Sequence, residues 1–347
     1  MTDYNKPREL YDGLRLHQNE NTGGCSPRVL EALAALRADQ IAVYPPYSEV
    51  TDACAQSLGV TAGQLALVNG LDEGILALAF GWLRPTGHGP APEAIIPDPA
   101  FEIFRFFAEA AGGRAIGVTP KPDFRFALDD VLGAITPATR VVFLTNPNNP
   151  TGVSMPLEAI RAIARRVPPD AIVLVDEAYV TFGGESFIPE LGAFPNVMVG
   201  RTFSKAHGLA GLRIACLVGS PEALEPIRRI VPVYSVNIAA VVGLRAALED
   251  PGHVARYCRQ VVESKALLYA ACDRLGLKYW KSDANFVLVR VGDRAEALVN
   301  GAEARGFYLR DRSTEPGCEG CVRITTGIVE HTRGCIEAME EVLCAAR

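Results

Sequence analysis

The sequence predicts an α/β protein: a large domain on a mostly parallel sheet buried between helices, with a smaller α+β domain beside it. Three observations carry that expectation. Short apolar runs recur between residues 65 and 218, and helix-like segments separate most of them. That is the pattern of parallel strands covered on both faces. After about residue 250 the character changes to long helical stretches around isolated strands. At 347 residues the chain is also too long for one small core, so one large domain plus a smaller one follows.

Taken in order, residues 26–38 read as a capped helix, with Ser26 suited to the N-cap and Pro27 to the first helical position. After Tyr44-Pro45-Pro46-Tyr47 the alternation begins. Strands are expected at 65–68, 94–96, 141–144, 171–175, 197–199 and 214–218, and helices at 72–83, 100–111 and 156–166. A long helix is expected over 251–275. It is followed by a strand at 286–291, a helix near 294–305, a strand at 321–325 and a final helix near 330–346. The expected division is a large domain over 40–250 and a small one made of 1–39 and 251–347. No internal repeat, low-complexity tract or DNA-binding helix-turn-helix is visible.

Hydrophobic residues make up 49% and charged residues 21%, a globular balance rather than a disordered one. The net charge of −6 favours neither nucleic acid nor an anionic membrane as partner. An anionic substrate must then be held by local arginines. No apolar stretch approaches the roughly 20 residues of a membrane span. The nine cysteines are an odd number and the first residues lack the apolar core of a secretion signal, so reduced thiols in a cytoplasm are expected. Cys318-Glu319-Gly320-Cys321 has no second pair to complete a zinc site, and no metal is expected.

The chemistry is concentrated in turns that follow strands. Lys205 lies past the strand 197–199, at the carboxyl edge where open α/β sheets hold ligands. It supplies an amine able to condense with an aldehyde. Thr202, Ser204 and Arg213 around it supply donors for a phosphate. Asn146-Pro147-Asn148-Asn149-Pro150-Thr151-Gly152 forms a rigid turn after the strand 141–144. Asn149 there can point an amide donor at a phenolate oxygen. Asp176 follows the strand 171–175, where a carboxylate can either cap the next helix or pair with a pyridinium nitrogen. Tyr179 can donate to the same phenolate as Asn149. Asn69-Gly70-Leu71-Asp72-Glu73-Gly74 opens a helix after the strand 65–68, and free N–H groups at a helix start bind phosphate. Arg323 sits between strand residues Val322 and Ile324, where an inward guanidinium without a ligand is costly.

These segments, in this order, resemble the class I/II aminotransferases, pyridoxal-phosphate enzymes of fold type I. The resemblance runs from about Leu16 to the last helix. It implies a seven-stranded sheet in the large domain and a pyridoxal 5'-phosphate cofactor. It also implies catalytic roles for Lys205, Asp176 and Tyr179. Leu71, Asp72 and Glu73 would bind the phosphate through their backbone, and Phe101 would stack on the ring. Tyr44 would reach the partner subunit's cofactor, implying a homodimer with shared active sites.

Within the class, Asn19-Glu20-Asn21, Tyr44-Pro45, Asp72-Glu73-Gly74 and Leu309-Arg310-Asp311 resemble the branch acting on histidinol phosphate and 2-oxoglutarate in histidine biosynthesis. That resemblance implies Arg310, Arg323 and Asn21 as substrate-binding residues. Two departures stand out: Thr22-Gly23-Gly24 replaces the branch's Pro-Tyr-Gly, and His207 stands where an aromatic or small apolar residue is common. An aromatic aminotransferase and a lyase of the threonine-phosphate decarboxylase kind remain as alternatives, because the same cofactor residues serve all three.

Overall fold

The computed structural model describes residues 12–87 and 89–345 of the chain. Its strands, in chain order, are β1 (Leu14–Arg15), β2 (Leu65–Val68), β3 (Glu93–Pro97), β4 (Arg114–Val118), β5 (Thr139–Thr145), β6 (Ile172–Asp176), β7 (Val197–Thr202), β8 (Ala215–Val218), β9 (Lys278–Tyr279), β10 (Phe286–Arg290), β11 (Phe307–Tyr308), β12 (Arg310–Asp311) and β13 (Cys321–Thr325). Seven of them form one sheet in the order β2-β8-β7-β6-β5-β3-β4. Strand β8 runs antiparallel to both neighbours, and the remaining pairs are parallel.

The unbroken apolar runs of β6 and β7 divide by alternation, as the two-residue period of a strand requires. Val173, Val175, Val197 and Val199 enter one core with the helices Ser48–Leu58, Leu157–Arg166 and Ile238–Leu248. Ile172, Leu174 and Met198 enter the opposite core with the helices Leu71–Trp82, Ile103–Ala110 and Pro221–Ile230. The sheet is therefore sandwiched, and its carboxyl edge is left free to carry loops.

The small domain is an antiparallel sheet, β12-β13-β10-β9, joined by the parallel pair β1-β11. The helices Pro251–Leu275, Ala295–Glu303 and Val329–Ala345 cover it around Leu268, Leu298 and Met339. The amino-terminal segment divides between the two bodies. β1 pairs into the small domain, whereas the helix Pro27–Ala34 buries Val29 in the large core against the helix Ile238–Leu248. The expected assignment of 1–39 to the small domain is thus corrected for that helix, whose apolar face finds its partner on the large sheet. Its start matches expectation: Ser26 Oγ accepts the Arg28 N–H at 3.2 Å. No helix of the described residues is long and apolar enough to cross a membrane.

Candidate active site

A cavity of about 980 Å³ opens between the carboxyl edge of the large sheet and the strands β12 and β13. The turns after β2, β3, β5, β6 and β7 reach it from one side. Residues 15–21, Arg310, Arg312 and Arg323 close the other. Of the candidate residues read from the sequence, it gathers Leu71, Asp72, Phe101, Asn149, Asp176, Tyr179, Thr202, Ser204, Lys205, Arg213, Arg310, Arg323 and Asn21.

One end is shaped for a phosphate. Gly70 precedes the helix Leu71–Trp82 at φ 76°, and no side chain caps that helix start. A Cβ at Gly70 would collide with the Arg213 guanidinium, so the glycine is what admits the arginine. Arg213 itself takes a left-handed conformation and bonds Asp72 Oδ2 at 3.0 Å. The Ser204 N–H donates to Thr202 Oγ1 at 3.2 Å, which fixes that turn beside it. Uncapped N–H groups, two hydroxyls and a guanidinium make an anion site. Glu73 does not line the cavity, which corrects the expected phosphate role. Its N–H bonds Gly70 O at 3.2 Å, and its carboxylate takes the Asn69 N–H at 2.6 Å and the Ser235 hydroxyl at 2.9 Å.

The middle of the cavity carries the groups for a ring. Asp176, at the end of β6, is buried and accepts one N–H, from Ala178 at 2.9 Å. Burial pushes its carboxyl up to about 7, against the downward pull of that N–H and of Lys205. Thr145, its register partner on β5, lines the cavity with a buried hydroxyl that has no bond among the described residues. Lys205 Nζ donates to Gln18 O at 2.9 Å. The Tyr179 hydroxyl accepts from Asn19 Nδ2 at 3.0 Å, and its ring stands edge-on to Phe286. Asn149 Oδ1 accepts from Arg323, which turns the amide NH₂ toward the cavity. Phe101 lies half-buried at the rim, edge-on to Phe104.

These residues fit pyridoxal phosphate: a cradle at Gly70 for the phosphate, a buried carboxylate for a ring nitrogen, and an amine for the aldehyde. A stability effect follows from Asp176. The folded state without cofactor binds this proton more tightly than the unfolded chain does. Its stabilising contribution is therefore full at acid pH and is lost as pH rises through about 7. A change from 3.8 to about 7 corresponds to on the order of 4 kcal/mol at most. Asp176→Asn should make the cofactor-free protein more heat-stable than the parent above neutral pH and no more stable below the carboxylate range. Thermal melts across pH check this, and a stability difference between variant and parent that is the same at both ends would contradict it.

The far end is rich in arginine. Arg310 and Arg323 are direct cross-strand partners on β12 and β13, where like charges repel. Arg323 is buried, donates to Asn149 Oδ1 and to His17 O, and lies over the Phe286 ring at 5.3 Å. It has no carboxylate partner among the described residues, and its Nε has no bond. Burial and the neighbouring Arg312 draw it down from 12.5 to about 9, still cationic at neutral pH. Arg310 has a distant carboxylate, Glu102, at 3.7 Å. Arg312 is paired to Glu315 and also lines the cavity. Sequence reasoning missed Arg312, although the two-residue strand period from Arg310 places it on the same face. Asn21 lines the cavity with its amide engaged, donating to Ala206 O at 3.1 Å and accepting the Gly23 N–H at 2.9 Å.

Tyr44 and His207, like Glu73, lie outside the cavity. Tyr44 is 74% exposed and stacks on Tyr234 at 4.2 Å, amid exposed Ile41, Val43 and Val233. His207 is half-buried, edge-on to Phe203, and desolvation draws its imidazole down to about 4, so it is neutral.

A family model described as aminotransferase class I and II matches residues 11–337. The chain is 36% identical to a histidinol-phosphate aminotransferase of Symbiobacterium thermophilum, over 99% of this chain and 94% of that one. It is 35% identical to one from Moorella thermoacetica, over 96% of this chain and 86% of the other. Among solved structures it resembles the histidinol-phosphate aminotransferase of Sinorhizobium meliloti in complex with pyridoxal-5'-phosphate. The TM-score there is 0.88 and the identity 25%, covering 96% of this chain and 92% of that one.

Proposed function

The chain belongs to the class I and II aminotransferases, and we propose that it transfers the amino group of histidinol phosphate to 2-oxoglutarate, in histidine biosynthesis. The products are imidazole acetol phosphate and glutamate. The relatives that span nearly the whole chain carry that activity in their names. Within the molecule, the Arg310–Arg323 pair carries the reading. Two arginines side by side on neighbouring strands, one of them buried without a carboxylate partner among the described residues, are suited to a phosphate or a dicarboxylate. One site can then serve both half-reactions, taking the phosphate of one substrate and the distal carboxylate of the other.

When bound, pyridoxal phosphate supplies the aldehyde that takes up the amino group and the ring that delocalises the electron pair left at Cα. Lys205 Nζ, released from Gln18 O, would serve as the base that takes the substrate's Cα proton and as the acid that returns it. Asp176 would pair with the ring nitrogen and stabilise a positive charge there. Such a cation would also offset the burial that raises the Asp176 carboxyl. Asn149 and Tyr179 would donate to the ring oxygen. Thr202, Ser204, Arg213 and the N–H groups of Leu71 and Asp72 would hold the phosphate, and Phe101 would cover the ring.

Tyr44 acts across a dimer interface. Its exposure, with that of Ile41, Val43 and Val233, supports a patch that a second copy would cover. We place the enzyme in the cytoplasm, in keeping with cysteines that form no disulfide among the described residues.

Arg310→Ala tests the substrate reading. Each charged hydrogen bond contributes roughly 1.5–3 kcal/mol. The variant should lose about ten- to a hundredfold in kcat/KM for histidinol phosphate, and much less for phenylalanine. Equal losses for both would remove Arg310 from the phosphate.

A further inference from the structure

Asn19 is buried and held at φ 56°, a left-handed conformation uncommon outside glycine. Every polar group it has is engaged. Its N–H donates to Thr325 Oγ1 at 3.1 Å, and its carbonyl accepts from Asn285 Nδ2 at 3.1 Å. Its side-chain Oδ1 accepts from the Thr325 hydroxyl at 3.1 Å, and its Nδ2 donates to the Tyr179 hydroxyl at 3.0 Å.

The direction of the last bond follows from Thr325. That hydroxyl is fully buried and already accepts the Asn19 N–H, so its hydrogen needs an acceptor. Among the described residues Asn19 Oδ1 is the acceptor it has. Turning the amide over would leave a buried hydroxyl hydrogen without a partner, which costs far more than a satisfied bond gains. The amide is thus locked with its NH₂ toward Tyr179. The tyrosine oxygen is an acceptor from that side, and its own proton must point elsewhere. Inside the protein no acceptor for that proton is present among the described residues, and Tyr179 faces the cavity.

We propose that Asn19 is a positioning residue that fixes the Tyr179 hydroxyl proton toward the cavity and so makes Tyr179 an obligate donor to the cofactor's ring oxygen. The inference rests on the reading of Tyr179 as a cofactor residue. It adds a second consequence. Asn19 is bonded to β13 through Thr325 and to the start of β10 through Asn285, so the direction of the tyrosine proton depends on the small domain being docked.

A donor to the ring oxygen favours its anionic form and lowers the pH midpoint at which the bound cofactor's absorbance titrates. The titratable groups around Tyr179 are Lys205 and Asp176 from the large sheet's edge, Arg323 from β13, His17 from the amino-terminal segment and Tyr257 from the helix Pro251–Leu275. The test leaves all of them in place. Asn19→Gly suits the left-handed backbone and removes the amide. In the holoenzyme it should raise the midpoint by about half a unit to one unit. Tyr179→Phe should raise it at least as far. Asn19→Gly added to Tyr179→Phe should raise it no further, the coupling a double-mutant cycle isolates.

An equal shift in both backgrounds, or no shift from Asn19→Gly while Tyr179→Phe shifts, overturns the proposal alone. No shift from Tyr179→Phe overturns the cofactor assignment of Tyr179 and the proposal with it. If Asn19→Gly does not fold, Asn19→Asp keeps the shape and turns the donor into an acceptor. Its shift must then be larger with Tyr179 present than in the Tyr179→Phe background, and equal shifts overturn the proposal.

Discussion

Lys205→Ala is expected to lower turnover by at least about ten-thousandfold, the upper range for losing a positioned proton-transfer group. The amine would both join the cofactor and move the Cα proton, and among the cavity's lining residues Lys205 is the one lysine. Steady-state glutamate formation measures the loss. The same variant probes the shared site. Tyr44→Ala should also be nearly inactive, because Tyr44 would complete the neighbouring subunit's cavity. After unfolding and refolding the two variants together, half of the dimers carry one intact site, so about a quarter of parent activity should return. No recovery, or full activity in Tyr44→Ala alone, would confine each site to one chain.

Asp176→Ala is expected to keep the cofactor attached and lose about a thousandfold in turnover. Removing one partner of a buried ion pair costs roughly 3–5 kcal/mol. Spent in the transition state, that is two to four powers of ten. Single-turnover half-reactions read the chemical step directly, and a near-normal rate would contradict the role. This variant separates binding from chemistry, because the phosphate end of the cavity is untouched.

Much of this site was legible because of where its residues fall. Asn149, Asp176 and Lys205 each follow an apolar run that forms a central strand, and such runs end at one edge of a parallel sheet. The seven-stranded sheet was likewise legible in its buried strands. Strand β4 escaped notice because it is an edge strand: Arg114 and Gly117 are exposed, and Arg114 bonds Glu93 on β3. The helices Ser48–Leu58, Pro221–Ile230 and Ile238–Leu248 are likewise absent from the expected elements.

Other features depend on long-range contact. Asn19 and Thr325 are 306 residues apart, and no local pattern announces a lock between them. Glu73 looked like part of a phosphate turn, but the turn closes on its N–H and Ser235 comes from far along the chain to hold its carboxylate. The helix Pro27–Ala34 was assigned to the wrong body, because its apolar stripe says that it packs and not against what.

The central claim is that Arg310 and Arg323 select a phosphorylated amine for transamination. The most direct measurement compares kcat/KM for histidinol phosphate and for unphosphorylated histidinol, with 2-oxoglutarate as acceptor and glutamate as the product followed. The account requires a preference for the phosphorylated substrate of at least about a hundredfold, the worth of one to two charged hydrogen bonds. Equal efficiency with and without the phosphate would contradict it and leave an aminotransferase of aromatic or other amino acids.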